Sequence, residues 1–537
     1  MADLATAVKV LPARETGVER QAKQPFRRPG IVIFIAAVLA GLAYIGIHLA
    51  ADMQRVAITS AWPLVMLGLA LAIALGFEFV NGFHDTANAV ATVIYTHSLE
   101  PHVAVVWSGF CNLAGVLFSS GAVAYAIVAL LPVEMILKIS SGSGFAMVFA
   151  LLLAAILWNL GTWWLGLPAS SSHTLVGSIV GVGLASQFME HNGVSGLDWG
   201  EVIKVLKALF ISPLLGFALA GILILVSKRL LKHPSLYRAP EGKQPPPWPI
   251  RALMVATCTG VSFFHGSNDG QKGMGLIMLI LIGTVPTAFA LNRSVGPADV
   301  QAFLAASAET SRILDSHIAP ATADPDAHTA VTNFVRTRRM QPETLPGVRQ
   351  LVDELDREMT EYGSFEAVPA QSRAGLRNDM YLTSQALELM TAARRPVFTA
   401  AESAELKSYR GELERNIKFI PAWVKVAVAL ALGLGTMVGW KRIVVTVGER
   451  IGKEHMTYAQ GASAGLVTMA TIFAADSFGL PVSTTHILSS GVAGTMAANG
   501  SGLRWSTIRS IAAGWMLTLP AAALLSGALY CLFRWMA

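Results

Sequence analysis

Between Gly76 and Ile94 the chain reads GFEFVNGFHDTANAVATVI, which sets Glu78, Asn81, His84, Asp85 and Asn88 in sequence otherwise apolar enough for lipid. A charged side chain at bilayer depth costs at least about 2.5–3.5 kcal/mol on insertion scales, so carboxylates there require partners or a hydrated cavity. The default reading of such a stretch is a transport site. A second copy, FFHGSNDGQKGMGLIM, runs from Phe263 to Met278. With Asp85 placed on Asp269, Asn81 falls on His265, Gly82 on Gly266, His84 on Asn268 and Asn88 on Lys272. Buried carboxyls in such company can hold a proton, and with amide oxygens nearby they can hold a cation.

Another pair of strings offers the complementary chemistry. GLPASSSHTLVG, Gly166 to Gly177, is echoed by GLPVSTTHILSSG, Gly479 to Gly491, with Pro168 on Pro481 and His173 on His486. A Pro ahead of consecutive hydroxyls in an apolar run predicts a helix that begins inside the membrane. Its first N–H groups have no intrahelical partner and its dipole end is positive. With Ser170, Ser171 and Ser172 in one copy and Ser483, Thr484 and Thr485 in the other as donors, such an end suits an oxyanion. For one copy, capping or packing would explain the hydroxyls as well. Two copies, each following an acidic copy in the same order, favour binding.

The elements that position these strings follow from composition. Apolar residues make up 53% of the chain and charged ones 14%, with mean hydropathy +0.53; soluble domains are roughly 25% charged. The chain is therefore expected to be an all-α polytopic membrane protein whose environment is the lipid bilayer. Its net charge of +6 sits in short segments beside apolar runs, the positive-inside pattern, so no nucleic-acid partner is expected. Cys111, Cys258 and Cys531 show no spacing suited to zinc or a disulfide framework. No metal-ligand set is assigned, and no nucleophile–base pair stands out, so an enzyme is not expected.

Residues 1–60 read as a basic cytoplasmic tail and an extra anchor span, since 31–51 can cross a core of about 30 Å and no cleavage site follows. Residues 61–230 form a first transmembrane repeat, whose first helix is expected to break near Asn81–His84. A basic cytoplasmic linker, 231–250, leads to the start of a second repeat, 251–291. Asp269 lies 184 positions after Asp85, but Pro481 lies 313 after Pro168, which places 129 extra residues between the motifs of the second half. These fall at 292–420, where helix-like patterns near 299–318, 346–362, 369–393 and 399–418 predict a soluble helical insertion. His317 and His328 within it read as solvated. Residues 421–537 complete the second repeat. One repeat starts outside and the other inside, so inverted topology is expected, with discontinuous helices meeting near the midplane.

Together the paired Gly-x-[Asn/His]-Asp and Pro-x-Ser-[Ser/Thr]-[Ser/Thr]-His strings resemble the signatures of the PiT family of inorganic phosphate transporters. NGFHDTANAVATVIYT, HGSNDGQKG, WNLGTWWLGLPASSSHTL and MTYAQG are similar in particular to its bacterial low-affinity, proton-coupled branch. The likeness covers about 62–291 and 420–533. It implies a symporter of the inner (plasma) membrane that imports phosphate with H⁺ or Na⁺, and in this branch phosphate as a neutral complex with Mg²⁺ or another divalent cation. No other cofactor is implied, and a homodimer is left open. His84 departs from the family's Asn, and Lys272 replaces the later Asn of the second copy.

Charge balance then distributes the roles. The six hydroxyls take the phosphate, while Asp85 and Asp269 take the coupling ion with help from Asn81, Asn88 and Asn268. Lys272 puts a fixed positive charge where a second cation would sit, which favours H⁺ over Na⁺. Glu78 either shares the face of Asp85 or pairs with Lys272. His84 and His265 act as proton relays or pack as hydrogen-bonded core, and His173 and His486 orient the hydroxyl turns. A Na⁺-coupled symporter and a carrier of sulfate or arsenate are the competing readings.

Overall fold

The computed structural model describes residues 28–53, 62–85, 87–131, 142–189, 197, 199–240, 244–292, 295–318, 326–392 and 398–536. The basic tail before Arg28 lies outside them, as do the side chains of residues 86–88, Asn88 among them. The described chain is helical. An anchor helix α1 (Arg28–Met53) precedes α2 (Trp62–Asp85), α3 (Ala87–Tyr95), α4 (Pro101–Phe118), α5 (Ala122–Val128), α6 (Gly142–Trp164), α7 (Ser171–Met189) and α8 (Trp199–Leu230). Next come α9 (Trp248–Thr284) and five helices of the insertion, α10 (Pro297–His317), α11 (Ala327–Thr337), α12 (Thr344–Tyr362), α13 (Arg373–Thr391) and α14 (Ala400–Ile417). The chain closes with α15 (Ala422–Thr436), α16 (Lys441–Val445), α17 (Tyr458–Ser477), α18 (Thr484–Asn499) and α19 (Trp505–Met536).

Among the described residues, six helical stretches are long and apolar enough to cross a membrane: α1, α2 with α3, α4, α6, α8 and α19. Large apolar side chains on them face outward, including Phe110 and Phe210, as lipid-facing surface requires. The polar helix α9 is instead enclosed: from His265 to Gly283 every residue is buried. That division keeps the costly groups away from hydrocarbon.

Packing runs crosswise between the halves. Helix α2 lies on α15, and its counterpart α9 lies on α4; α7 lies on α19, and its counterpart α18 lies on α8. Glycines set the approach. A Cβ on Gly82 would meet the Leu432 carbonyl oxygen at 2.3 Å, and one on the equivalent Gly266 would meet that of Asn112 at 2.1 Å. Backbone touches backbone at both crossings, as small residues allow in membrane bundles.

Two expectations need correction. The break expected near Asn81–His84 falls just after them, since α2 stays helical through those residues and ends at Asp85 with α3 starting at Ala87, whereas α9 passes unbroken through His265–Lys272. Their polar side chains find partners on neighbouring helices, so the backbone hydrogen bonds need not be released. In the insertion, a helix that the pattern reading passed over, α11, starts at Asp326, whose carboxylate accepts the Thr329 N–H. The insertion helices share a core in which Phe303 meets Phe365 and Tyr409, with ring centroids 6.1 and 5.4 Å apart. Arg373 ties them to the chain just after α9 through the Thr287 carbonyl.

Candidate functional site

Ser170 and Ser483 hold the same place in their two strings and do the same work. Each hydroxyl accepts the N–H of the residue three positions on, His173 and His486 respectively, at 3.2 Å. They are N-caps, which explains why a short hydroxyl residue stands there. The helices α7 and α18 therefore do begin at the hydroxyl strings, after the extended stretches that follow Gly166 and Gly479.

The next residues reach across to the opposite repeat. Thr485 Oγ1 lies 2.5 Å from Asp85 Oδ1, and the equivalent Ser172 Oγ lies 2.5 Å from Lys272 Nζ. Ser172 also donates to the Val482 carbonyl at 2.8 Å, tying one hydroxyl turn to the other. Ser171 accepts from Asn159 Nδ2 at 3.2 Å, while the Thr484 hydroxyl is buried without a partner. Each acidic motif is thus completed by the hydroxyl string of the other half.

Lys272 is fully buried, with Nζ 2.6 Å from Asp269 Oδ1. The ammonium so enclosed is matched by a carboxylate and a hydroxyl, as a buried charge must be. Asp85 accepts from Thr485 and stands 3.1 Å from His84 Nδ1; the other ring nitrogen of His84 is 3.1 Å from Thr162 Oγ1.

One oxygen each from Asp85 and Asp269 and one nitrogen of His265 lie within 4.8 Å of one another. Neighbours orient that imidazole. Thr436 donates its own proton to the Leu432 carbonyl at 2.9 Å, so its oxygen accepts from Asn112 Nδ2 at 3.3 Å. This turns Asn112 Oδ1 toward His265 Nδ1, 2.7 Å away. Nδ1 is then the donor, and Nε2 faces the gap 3.6 Å from Asp269 Oδ2. A ring held in this way by a second-layer amide is the arrangement that presents an imidazole lone pair to a cation or a proton.

The remaining candidates lie close by with other duties. Asn268 bonds the Leu480 carbonyl and the Val482 N–H, which fixes the extended stretch before α18. Asn81 Nδ2 reaches Glu78 Oε2 at 3.5 Å, and Glu78 is not bonded to Lys272, which Asp269 holds. His173 and His486 lie tilted against each other with ring centroids 4.5 Å apart, and His486 stacks on Trp515 at 4.0 Å, whose indole N–H donates to the Pro168 carbonyl.

Sequence reasoning missed Asn112, Asn159 and Thr162. Each is a polar residue in a largely apolar helix, the same signal that exposed the acidic stretches, but none has a carboxylate beside it to mark it out. Gln271 and Ser267 also bond Asp476, at 2.8 and 2.7 Å, on the side of α9 away from Lys272. The geometry as a whole offers an oxyanion hydroxyl donors, two helix starts and an ammonium, and offers a cation two carboxylates and an imidazole.

Residues 81–526 match the model of the phosphate transporter family. The low-affinity inorganic phosphate transporter PitB of Escherichia coli (strain K12) is 42% identical over 484 residues, covering 87% of this chain and 96% of that protein. PitA of the same strain is 41% identical over the same length and shares. A solved structure described as the sodium-dependent phosphate transporter aligns with a TM-score of 0.48 at 18% identity, over 88% of this chain and 100% of that one, too loose a likeness to bear on the site. On the family match and the close relatives, this chain belongs to the phosphate transporter family.

Proposed function

We propose that the protein is a secondary active symporter that brings inorganic phosphate across the inner membrane together with protons. The observation that carries this reading is the crosswise pairing of Thr485 with Asp85 and of Ser172 with Lys272, which joins anion donors and acids from both halves in one buried place. The relatives named above are phosphate transporters, which supports the choice of anion. Phosphate, entering as a mono- or dianion, exchanges its water for hydroxyl donors of Ser171, Ser172, Thr484 and Thr485 and for the Lys272 ammonium. Ser170 and Ser483 hold the two helix starts in place as caps.

Asp85 and Asp269, with His265 between them, are assigned to the coupling ion. A second reading has a specific basis here: the gap among these three groups suits a bound cation. Na⁺ prefers an all-oxygen shell, and the imidazole turned into the gap favours H⁺ or a divalent cation travelling with phosphate over Na⁺. Inverted halves with the N-terminus cytoplasmic, a homodimer, and a soluble insertion at 292–420 belong to the same proposal.

Uptake of labelled phosphate into proteoliposomes tests it. Accumulation is expected to follow an imposed pH gradient with or without Na⁺. Uptake that followed a Na⁺ gradient and ignored pH would sink the proton reading. Sulfate or arsenate outcompeting phosphate at equal concentration would sink the choice of substrate.

A further inference from the structure

Glu78 differs from the other two acids of the paired motifs in what surrounds it. Asp85 has Thr485 and His84, and Asp269 has Lys272. Glu78 is fully buried, yet its Oε2 meets only the distant Asn81 amide at 3.5 Å and its Oε1 has no hydrogen-bond partner. It lies against the bare backbone of Gly273 in the opposite half, where a Cβ would come within 2.3 Å of Glu78 Cγ. Glycine at 273 is what lets this carboxyl lie against α9.

The groups that face it can be named from every helix packed on α2. Lys272 and Asp269 act on it electrostatically from α9, which also carries His265. His84 and Asp85 stand further along its own helix. Helix α6 has no titratable residue, α7 has His173, α15 has Lys425, bonded to the Ser119 carbonyl, and α3 has Tyr95, bonded to Glu449. Besides the Asn81 amide, only the backbone of Gly273 reaches Glu78, and Lys272 acts on it without an ion pair, so this carboxyl is the least well matched of the three acids.

We infer that Glu78 is a further carrier of the coupling proton, beyond the gap that Asp85, His265 and Asp269 form. The inference rests on the phosphate–proton reading above. The step needs no partner besides water. A proton from the outer solution binds Glu78 Oε1, and with Glu78 neutral the charge of Lys272 is left for Asp269 and the incoming phosphate. On the inner side the proton returns to water. The carboxylate formed against α9 then opposes the anion and favours its release.

The full chain in proteoliposomes separates the possibilities by two assays. Exchange of labelled for unlabelled phosphate at equilibrium requires binding and access but no net proton movement; accumulation under a pH gradient requires both. Glu78→Gln is expected to keep exchange within about threefold and to lose accumulation by at least about tenfold, with exchange no longer changing with pH. Glu78→Asp, still titratable, is expected to retain both. Normal accumulation by Glu78→Gln would overturn the inference, and so would loss of exchange together with accumulation, which would place Glu78 in binding or folding. Absence of phosphate exchange in the unaltered protein would instead defeat the phosphate reading itself.

Discussion

Thr485 Oγ1 lies 2.5 Å from Asp85 Oδ1, although 400 positions separate them in the chain. A hydrogen bond to a charged group is worth about 1.5–3 kcal/mol, so Thr485→Val is expected to lower phosphate uptake by roughly tenfold or more. Thr485→Ser, which keeps the hydroxyl, is expected to restore most of it. Initial rates in a phosphate-transport-deficient cell, normalised to protein in the membrane, provide the measurement. On the same scale Asp85→Asn and Asp269→Asn are expected to abolish coupled accumulation while leaving the protein inserted.

Lys272 and Asp269 make a second prediction, about stability. Removing one partner of a buried ion pair leaves an uncompensated charge and destabilises by about 3–5 kcal/mol, whereas removing both is often neutral. Lys272→Met or Asp269→Asn alone is therefore expected to lower the melting temperature in detergent. The double variant is expected to recover it and still not transport. A double variant as unstable as the singles would show that the pair is not the source of the effect.

The helix crossings supply a third. A Cβ on Gly266 would meet the Asn112 backbone within 2.1 Å, while one on Gly76 meets nothing within 4 Å. Overpacking costs about 1–3 kcal/mol and often more where backbone is the obstacle. Gly266→Ala is expected to reduce folded protein in the membrane several-fold, and Gly76→Ala to leave it unchanged, as read by fluorescence-detected size exclusion.

In the insertion, Asp379 is mostly buried and stands 2.6 Å from His328 Nε2. Burial raises its pKa to about 6 from 3.8. An acid raised in the fold favours the folded state most below its unfolded value, and that contribution is lost as pH climbs through about 6. Asp379→Asn removes the burden. Hydrogen exchange across α13 is expected to be slower in this variant than in the unaltered protein at pH 8, by about 1–2 kcal/mol in opening free energy, and equal near pH 4. Faster exchange in the variant at pH 8 would mean that the His328 bond outweighs the cost of burial.

The four strings were legible because a polar residue in an apolar run has few innocent explanations, and because each occurred twice. Helix starts at Ser171 and Thr484 followed from Pro and hydroxyl chemistry, which acts within a few residues. What joined the strings was not legible. The pairing of Ser172 with Lys272 spans 100 positions and that of Asn112 with His265 spans 153. Such contacts depend on helix crossings set by glycines rather than on local preference. In the second copy α9 runs on unbroken for a related reason: its polar side chains make no demand on the backbone, because neighbouring helices meet their needs instead.

Asp85 finds its hydroxyl and Glu78 its glycine seat in the other half of the chain, and Lys272, which holds Asp269, finds its hydroxyl there too. Neither half is a working machine in miniature. Chains severed within the connecting segment near Pro246 should regain activity when both pieces are made together and show none when either is made alone. By the same logic, two identical half-length polypeptides lying head to tail would already possess both crossings, the simplest arrangement from which this fused chain could be assembled.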